Sequence, residues 1–276
     1  MVYQPVADLH RDDRPQHLSV WDGGGGCRYT GAGVHVGVFD SLIQVAHPDL
    51  AANIDTSLQV DGLDYLSTAS GHGTCVAGII AAANNGIGVT GIAYGSQVTS
   101  VPVLFSNTVS LQNLGIALPH MPDFDVVNMS FGGVVAFDDF EMRIWWQFEA
   151  HYYADAAAEG RGGLGTVLVA ASGNNRQELP TDANLSHFQN DRHVITVGAV
   201  NPQDTIASFS SEGANLLVVA PSYDAYYGVG VATTTRRALT VSTPTTTPPS
   251  TRCRRNIPPS SAAPRPQPRW FPPSSP

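Results

Sequence analysis

Residues 71–83 read GHGTCVAGIIAAA and contain the clearest structural signal of the sequence. From about Thr74 to Ala83 the side chains are almost all small or apolar. A helix that is apolar on every side has no face suited to water, so it belongs in the interior of a protein. The stretch therefore predicts a buried helix that begins just after a histidine flanked by two glycines.

Short apolar segments rich in β-branched residues lie on both sides of this helix. The predicted strands are Val34–Phe39, Val98–Leu104, Val126–Met129, Thr166–Ala171, Val194–Val200 and Leu216–Ala220. Their alternation with helical segments is typical of βαβ units. Most of them are continuous apolar runs, as expected for parallel strands covered on both faces. The pattern predicts an α/β fold with a mostly parallel central sheet flanked by helices.

A second helix is indicated by apolar residues that recur every four positions, at Phe140, Ile144, Phe148 and Tyr152. This spacing places them on one face of a helix, and we expect that helix to end near Gly160. Its opening turn contains acidic side chains that complement the helix dipole, namely Asp138, Asp139 and Glu141.

The chain divides by composition into three parts. A polar leader occupies residues 1–30, and a domain is predicted over residues 31–235. Residues 236–276 consist mainly of Pro, Ser, Thr and Arg and contain no acidic residue. Such a composition cannot form a core and is typical of a disordered segment.

The charge distribution excludes several functions. The 14 basic residues are all arginine and seven of them follow residue 235, so the first 235 residues carry seven arginines against 23 acidic residues. An acidic body repels phosphate backbones and anionic lipid, so we expect neither a nucleic-acid partner nor a membrane-surface partner. No run of 18 apolar residues predicts a membrane span, and the first 20 residues lack the apolar stretch of a secretory signal.

The three cysteines, Cys27, Cys75 and Cys253, lie far apart and have no CxxC spacing. An odd count without such spacing indicates neither a zinc cluster nor a disulfide framework, so free thiols are expected. Cys75 is three residues from His72, which suggests sensitivity to thiol reagents; the alternative is a small buried hydrophobic residue.

Three residues are candidates for catalysis. Asp40 follows a predicted parallel strand, at the edge where open α/β sheets bind ligands, although a turn or a helix cap also explains it. His72, between Gly71 and Gly73, is suited to general-base catalysis if one ring nitrogen faces a carboxylate; the alternative is a structural histidine. Asn174 follows the strand TVLVAA in the sequence SGNN. Its amide is a potential donor to an oxyanion, but SGNN is also an ordinary turn.

Taken in order, these segments resemble the subtilase family of serine peptidases. The matching text is GAGVHVGVFDSLIQVAHPDL, GHGTCVAGIIAAANNGIGVTGIAYGSQV, VVNMSFGG, TVLVAASGNN and VITVGAV with ASFSSEGANLLVVAPS, which together span about residues 31–222. The loop NNGIGVTGIAYG looks more similar to bacterial relatives of the kexin branch than to the secreted subtilisins. The resemblance implies a subtilisin-like fold of three layers, here truncated at its C-terminal end.

The resemblance also assigns roles to residues. It implies that Asp40 orients the base, that His72 is the general base and that Asn174 donates to the oxyanion. The segment of Ser130, Phe131 and Gly132 would pair with an extended polypeptide substrate. It further implies a monomer, extracellular or at the cell surface.

A structural calcium ion is implied as well, bound by Asp49 and Asn85 with main-chain oxygens near Ala82 and Ile87. Hard oxygen ligands in an acidic domain suit calcium. HPD and NNG are also ordinary turn sequences, which is the alternative.

The chain departs from the family pattern at the nucleophile. Subtilases have the serine in a GTSMA-like or GTSAA-like segment after the strand that ends here at Pro221, and no such segment follows it. We therefore expect this chain to be inactive. We hypothesise that the segment after Thr235 is read out of frame, and the other two frames of the encoding DNA test this: absence of a Gly-Thr-Ser helix there refutes it. Leu42 stands where relatives usually have glycine, which predicts a strained or redirected backbone.

Two other functions remain open at this stage. One is a peptide-binding protein that has lost catalysis, and the other is an unfolded truncation product. Other enzyme classes are not indicated, because the sequence has no GxSxG, P-loop, GxGxxG or HExxH motif at a suitable junction.

Overall fold

The computed structural model describes residues 29–66, 71–105, 108–132, 143–177, 181–222, 224 and 230–235. The strands in chain order are β1 His35–Asp40, β2 Gln97–Pro102, β3 Leu104–Phe105, β4 Thr108–Val109, β5 Val126–Met129, β6 Val167–Ala171, β7 Val194–Val200 and β8 Leu216–Pro221. Six of them form one sheet in the order β2-β1-β5-β6-β7-β8, and every neighbouring pair is parallel. The α/β prediction with a parallel central sheet is confirmed.

The predicted strand Val98–Leu104 is shorter in the structure than in the prediction. Strand β2 ends at Pro102, where the paired residue on β1 is Asp40. The Val103 amide then donates to the Asp40 carbonyl oxygen at 2.8 Å, and the chain continues into the small antiparallel pair β3–β4. Proline has no amide hydrogen, so it commonly ends a strand ladder.

The helices are α1 His72–Ala81, α2 Leu111–Ala117 and α3 Arg143–Gly163. Helix α1 begins two residues before the predicted start, so His72 is its first residue. The backbone of α3 leaves helical geometry at Gly160, Arg161 and Gly162, in agreement with the predicted end near Gly160. The predicted opening of α3 at Asp138, Asp139, Phe140 and Glu141 lies outside the described residues.

Helix α2 was not predicted. It has only seven residues, too few for an apolar period to stand out. Its start is marked by Ser110, whose hydroxyl oxygen accepts a hydrogen bond from the Asn113 amide at 3.2 Å. Serine is a common N-cap residue, and it would have indicated the start of a helix if a longer apolar period had followed it.

Side chains of the sheet alternate between two buried clusters. Val36, Val38 and Val98 pack with the alanines of α1 on one face. On the other face, Phe39, Val127 and Leu168 pack with α2, α3 and the 3-10 helix Leu118–Asp123. The molecule is therefore three-layered, and the small side chains of α1 let this helix approach the sheet closely.

Helix α3 also carries a buried polar group. The Tyr153 hydroxyl donates to Glu149 Oε2 at 3.4 Å, and His187 Nε2 lies 3.0 Å from the same oxygen. Burial, together with the nearby carboxylates of Glu149 and Asp191, raises the pKa of Tyr153 well above its ordinary value. None of the helices in the described ranges combines the length and apolar character needed to cross a membrane.

Candidate active site

The carboxyl ends of three adjacent strands bring three of the predicted site residues to one edge of the sheet. Asp40 is the last residue of β1, Ser130 follows β5, and Asn174 lies just beyond β6. Strand β5 lies between the other two. Neighbouring strands are about 4.8 Å apart, so the three positions fall within a span of about 10 Å across the sheet. This edge is where parallel α/β sheets bind ligands.

His72 and Asp40 are in direct contact. His72 Nδ1 lies 2.8 Å from Asp40 Oδ1 and 2.9 Å from Oδ2. The Asp40 side chain is fully buried, whereas that of His72 is 27% exposed. An ionised carboxylate only accepts hydrogen bonds, so the proton of this contact belongs to Nδ1. The other ring nitrogen, Nε2, is then the basic one, which is the arrangement that general-base catalysis by histidine requires.

A close approach of two main-chain segments makes this contact possible. The Gly73 amide donates to Ser41 Oγ at 2.9 Å, and a Cβ at residue 73 would collide with the Ser41 carbonyl oxygen. The Ser41 amide in turn donates to Asp40 Oδ1 at 2.6 Å. Glycine at position 73 therefore allows the start of α1 to lie against the end of β1.

Asn174 lies in a turn that other loops hold in place. Gly173 has φ +108°, a conformation that favours glycine, and its carbonyl oxygen accepts from the Ser211 amide at 3.2 Å. Arg176 forms an ion pair with Glu212 at 2.5 Å. Asn174 itself is half-buried.

The predicted substrate segment lies past the end of an interior strand. Strand β5 is paired on both sides, and Met129 is its last paired residue. Ser130 Oγ donates to Asn128 Oδ1 at 2.9 Å, and the Phe131 ring lies 5.6 Å from that of Phe188. Gly132 follows, half-buried. Any pairing with a peptide here would use main chain beyond the ladder rather than a free strand edge.

The predicted calcium ligands lie close together around Asp49. This carboxylate is buried, and its Oδ2 accepts from the Val89 amide at 3.0 Å. Asn85 contacts the same segment, since its Nδ2 donates to the Pro48 carbonyl oxygen at 3.2 Å. The Asn85 Oδ1 accepts from the Ile87 amide at 2.9 Å, and the Ala82 carbonyl oxygen accepts from Gly91 at 2.8 Å. Within the described residues no group of three or more His, Cys, Asp or Glu side chains could hold a metal.

The expected strain at Leu42 is absent. Among the described residues other than glycine, only Arg161 and Asp204 have a positive φ. The backbone after Asp40 is instead redirected by hydrogen bonds from the Ile43 amide to Ser100 Oγ at 3.1 Å and from the Gln44 amide to Thr74 Oγ1 at 3.0 Å.

Cys75 is a buried free thiol in α1, in agreement with the prediction for that residue. Cys27 and Cys253 lie outside the described residues.

Four residues that were not predicted to belong to the site support the Asp40–His72 contact. Ser41 and Thr74 each lie within two positions of a catalytic candidate and form the hydrogen bonds described above. Thr233 and Thr234 are distant in sequence, yet their hydroxyls donate to the carbonyl oxygens of Cys75 at 2.5 Å and Thr74 at 2.8 Å. The first two could have been found from their position beside the motifs, whereas the last two had no such sequence context.

Comparisons with known proteins show which family this sequence matches. The model of the subtilase family matches residues 31–265. The chain is 35% identical over 219 residues to subtilisin of Bacillus pumilus, covering 74% of each protein. It is 34% identical to subtilisin E of Bacillus subtilis, covering 74% of this chain and 54% of that protein.

The fold is also similar to that of a solved serine protease. The serine protease of Aeromonas sobria superimposes with a TM-score of 0.61 at 26% identity, over 71% of this chain and 37% of that protein. The chain therefore spans only part of several of these relatives. The match to the family model extends over most of the sequence, and its range contains Asp40 and His72. We conclude that the chain belongs to the subtilase family.

Proposed function

We propose that this chain is the body of a subtilase-type serine endopeptidase, in which Asp40 orients His72, His72 is the general base and Asn174 donates to the oxyanion. The observation that carries the proposal is the contact of His72 Nδ1 with both carboxylate oxygens of Asp40. In an Asp-His-Ser mechanism, the carboxylate orients the imidazole ring through a contact of this kind.

Each residue has a defined task in peptide-bond hydrolysis. Asp40 holds the imidazole ring with Nε2 directed away from the carboxylate, so that Nε2 takes the proton of an attacking hydroxyl and later gives it to the leaving amine. The Asn174 amide stabilises the negative oxygen of the tetrahedral intermediate. In subtilisin, removal of such a donor costs about 2.7–4 kcal/mol of transition-state stabilisation.

The main chain beside the site supports a proposal for the class of substrate. Main chain of Ser130, Phe131 and Gly132 lies between the strand ends that carry Asp40 and Asn174. Hydrogen bonding of a peptide to main chain requires the peptide to be extended, so we propose unstructured polypeptide as the substrate. The loop NNGIGVTGIAYG supports a placement near the bacterial kexin branch within the family.

We propose further that the chain as printed does not hydrolyse peptides, because it lacks the nucleophile. No Gly-Thr-Ser segment follows Pro221. Nearby serines are engaged by the protein: Ser210 Oγ accepts from the Ala199 amide at 3.0 Å, and Ser211 Oγ lies 2.6 Å from Thr181 Oγ1. Ser130 Oγ donates to Asn128. Two serines of the segment after Thr235, Ser242 and Ser250, lie outside the described residues.

A calcium ion fits the loop around Asp49. Gly88 has φ +61°, and a Cβ there would lie 2.5 Å from Asp49 Oδ2, so the loop encloses the carboxylate closely. Carboxylate, amide and main-chain oxygens are the donors that calcium prefers. We propose that Asp49, Asn85 and main-chain oxygens near Ala82 and Ile87 would hold the ion. Its chemistry there would be structural, because it would tie this loop to the end of α1.

Labelling with a fluorophosphonate probe tests the proposed inactivity. We expect no labelling of the 276-residue chain, with a subtilisin as the positive control. Stoichiometric modification of one serine that disappears in a His72→Ala variant would contradict the proposal. Binding of an extended peptide without cleavage would favour a peptide-binding protein, and the absence of a cooperative thermal transition would favour an unfolded product.

A chimaera tests the roles of Asp40, His72 and Asn174 directly. Residues 1–235, which keep the contacts of Thr233 and Thr234 with α1, would be joined to the C-terminal segment of Bacillus pumilus subtilisin that supplies the serine. We expect peptide hydrolysis that is abolished by His72→Ala and reduced about 10²–10³-fold in kcat by Asn174→Ala. A folded chimaera whose hydrolysis does not depend on His72 would refute the assignment.

A further inference from the structure

Thr74 connects three segments of the chain at the start of helix α1. It is fully buried and lies two residues after His72. Its Oγ1 accepts a hydrogen bond from the Gln44 amide at 3.0 Å, and its carbonyl oxygen accepts one from Thr234 Oγ1 at 2.8 Å. The loop after β1 and the segment 230–235 are thus both attached to the turn that carries His72.

The start of α1 depends on these contacts, because the helix does not cap itself. Its N-cap residue is Gly71, which has no side chain to accept from the first amides. Instead, the Gly73 amide donates a hydrogen bond to Ser41 Oγ. The first turn of α1 is held by hydrogen bonds to the loop 41–44 and not by a cap within the helix. The position of His72 therefore depends on the position of that loop.

The same loop orients the carboxylate partner. The Ser41 amide donates to Asp40 Oδ1, and three residues further the Gln44 amide donates to Thr74. Both members of the Asp40–His72 pair are therefore fixed relative to one short stretch of main chain. A shift of a hydrogen-bonded pair by even a small distance weakens it, since hydrogen bonds are sensitive to angle and length.

From this geometry we propose that Thr74 is a positioning residue for His72: its hydroxyl keeps the imidazole in register with Asp40 by fixing the start of α1 to the loop after β1. Thr74 does not touch the reacting atoms. The inference rests on the proposed function, because it gives Thr74 a role only if the Asp40–His72 pair is the catalytic one.

Nuclear magnetic resonance of the His72 Nδ1 proton in the full chain tests this role. A proton held between imidazole and carboxylate gives a low-field resonance, assigned by its loss in His72→Ala. Thr74→Val preserves shape but removes the acceptor of the Gln44 amide. We expect exchange of the Nδ1 proton with water to rise about tenfold in Thr74→Val, as for the loss of one buried hydrogen bond. Thr74→Ser, which keeps the hydroxyl, should restore the wild-type rate.

Thr99→Val is the matched control. Thr99 is also buried, and its hydroxyl donates to the Asp55 carbonyl oxygen at 2.9 Å, on strand β2 and apart from His72. We expect it to lower the melting temperature without changing exchange of the His72 proton. Unchanged exchange in a folded Thr74→Val variant, or equal changes in Thr74→Val and Thr99→Val, would overturn the proposal.

Thr234→Val keeps the test decisive if Thr74→Val does not fold. It removes the hydroxyl that donates to the Thr74 carbonyl oxygen. We expect a smaller rise in exchange, about threefold, and no rise would overturn the proposal. A folded wild-type chain without any low-field histidine resonance would instead refute the Asp40–His72 contact, and with it the proposed function.

Discussion

Strands β1 and β8 have similar sequences but different surroundings. Strand β1 lies second from one end of the sheet, a region that we call the covered end, and its apolar run HVGVFD is buried from Val36 to Asp40 and covered by α1. Towards the other end, β8 carries LLVVAP, and Leu217, Val218 and Val219 are 79%, 49% and 47% exposed. Parallel strands usually have both faces covered. The covered end holds Asp40 and His72, whereas Asn174 follows β6 in the middle of the sheet.

This difference indicates that the catalytic pair depends on packing from the surrounding structure. Asp40 and His72 hold a fixed geometry because buried groups on several sides restrict them. An exposed strand lacks such restraints, and an apolar edge strand is also a site where other chains can pair. We therefore expect substitutions at the covered end to have large effects and those at β8 to have small ones.

Gly73→Ala should have the largest effect. The added Cβ would collide with the Ser41 carbonyl oxygen, which can move only if β1 and α1 separate. We expect a loss of about 3 kcal/mol or more in the free energy of unfolding, measured by urea denaturation. Gly115→Ala in α2 is the control, since its Cβ would meet nothing within 4 Å. That change should be neutral or stabilise by up to about 1 kcal/mol. Equal destabilisation by both variants would contradict the close approach.

Calcium should stabilise the covered end by a somewhat smaller amount. At a concentration 100 times its dissociation constant, we expect it to add about 2.7 kcal/mol to the free energy of unfolding. Hydrogen exchange should slow at the Ala83 and Val89 amides, which donate to Asp49, but not in β8. Asp49→Asn should abolish both effects, and magnesium serves as the ion control. Equal stabilisation of wild type and Asp49→Asn would argue against this site.

Valine truncations at the two ends give the most direct comparison. Val38 is completely buried on β1, so Val38→Ala should cost about 2 kcal/mol through lost burial and the cavity left behind. Val219 is 47% exposed on β8, and Val219→Ala should cost about 0.5 kcal/mol or less. Thermal unfolding of the two variants measures the difference. Similar losses would show that β8 is as well covered as β1.

Much of the fold was predictable from local patterns. The six strands of the main sheet follow from continuous apolar runs, and α1 from a run of small residues, because burial on both faces removes polar positions from such segments. Helix α2 was missed because it is short. The exposure of β8 was not predictable, since its apolar run resembles that of a buried strand and its cover depends on residues far away in sequence.

The residue types of the site and their places along the chain can be read from local sequence: Asp40 after an apolar run, His72 before a small-residue helix and Asn174 after SG. The contact of His72 Nδ1 with both oxygens of Asp40 is visible only in the folded molecule, as are the contacts by which Thr74 joins the loop after β1 to the segment 230–235. Local sequence sets backbone preference and polarity. Contacts between residues 32 or 160 positions apart depend instead on how the layers pack.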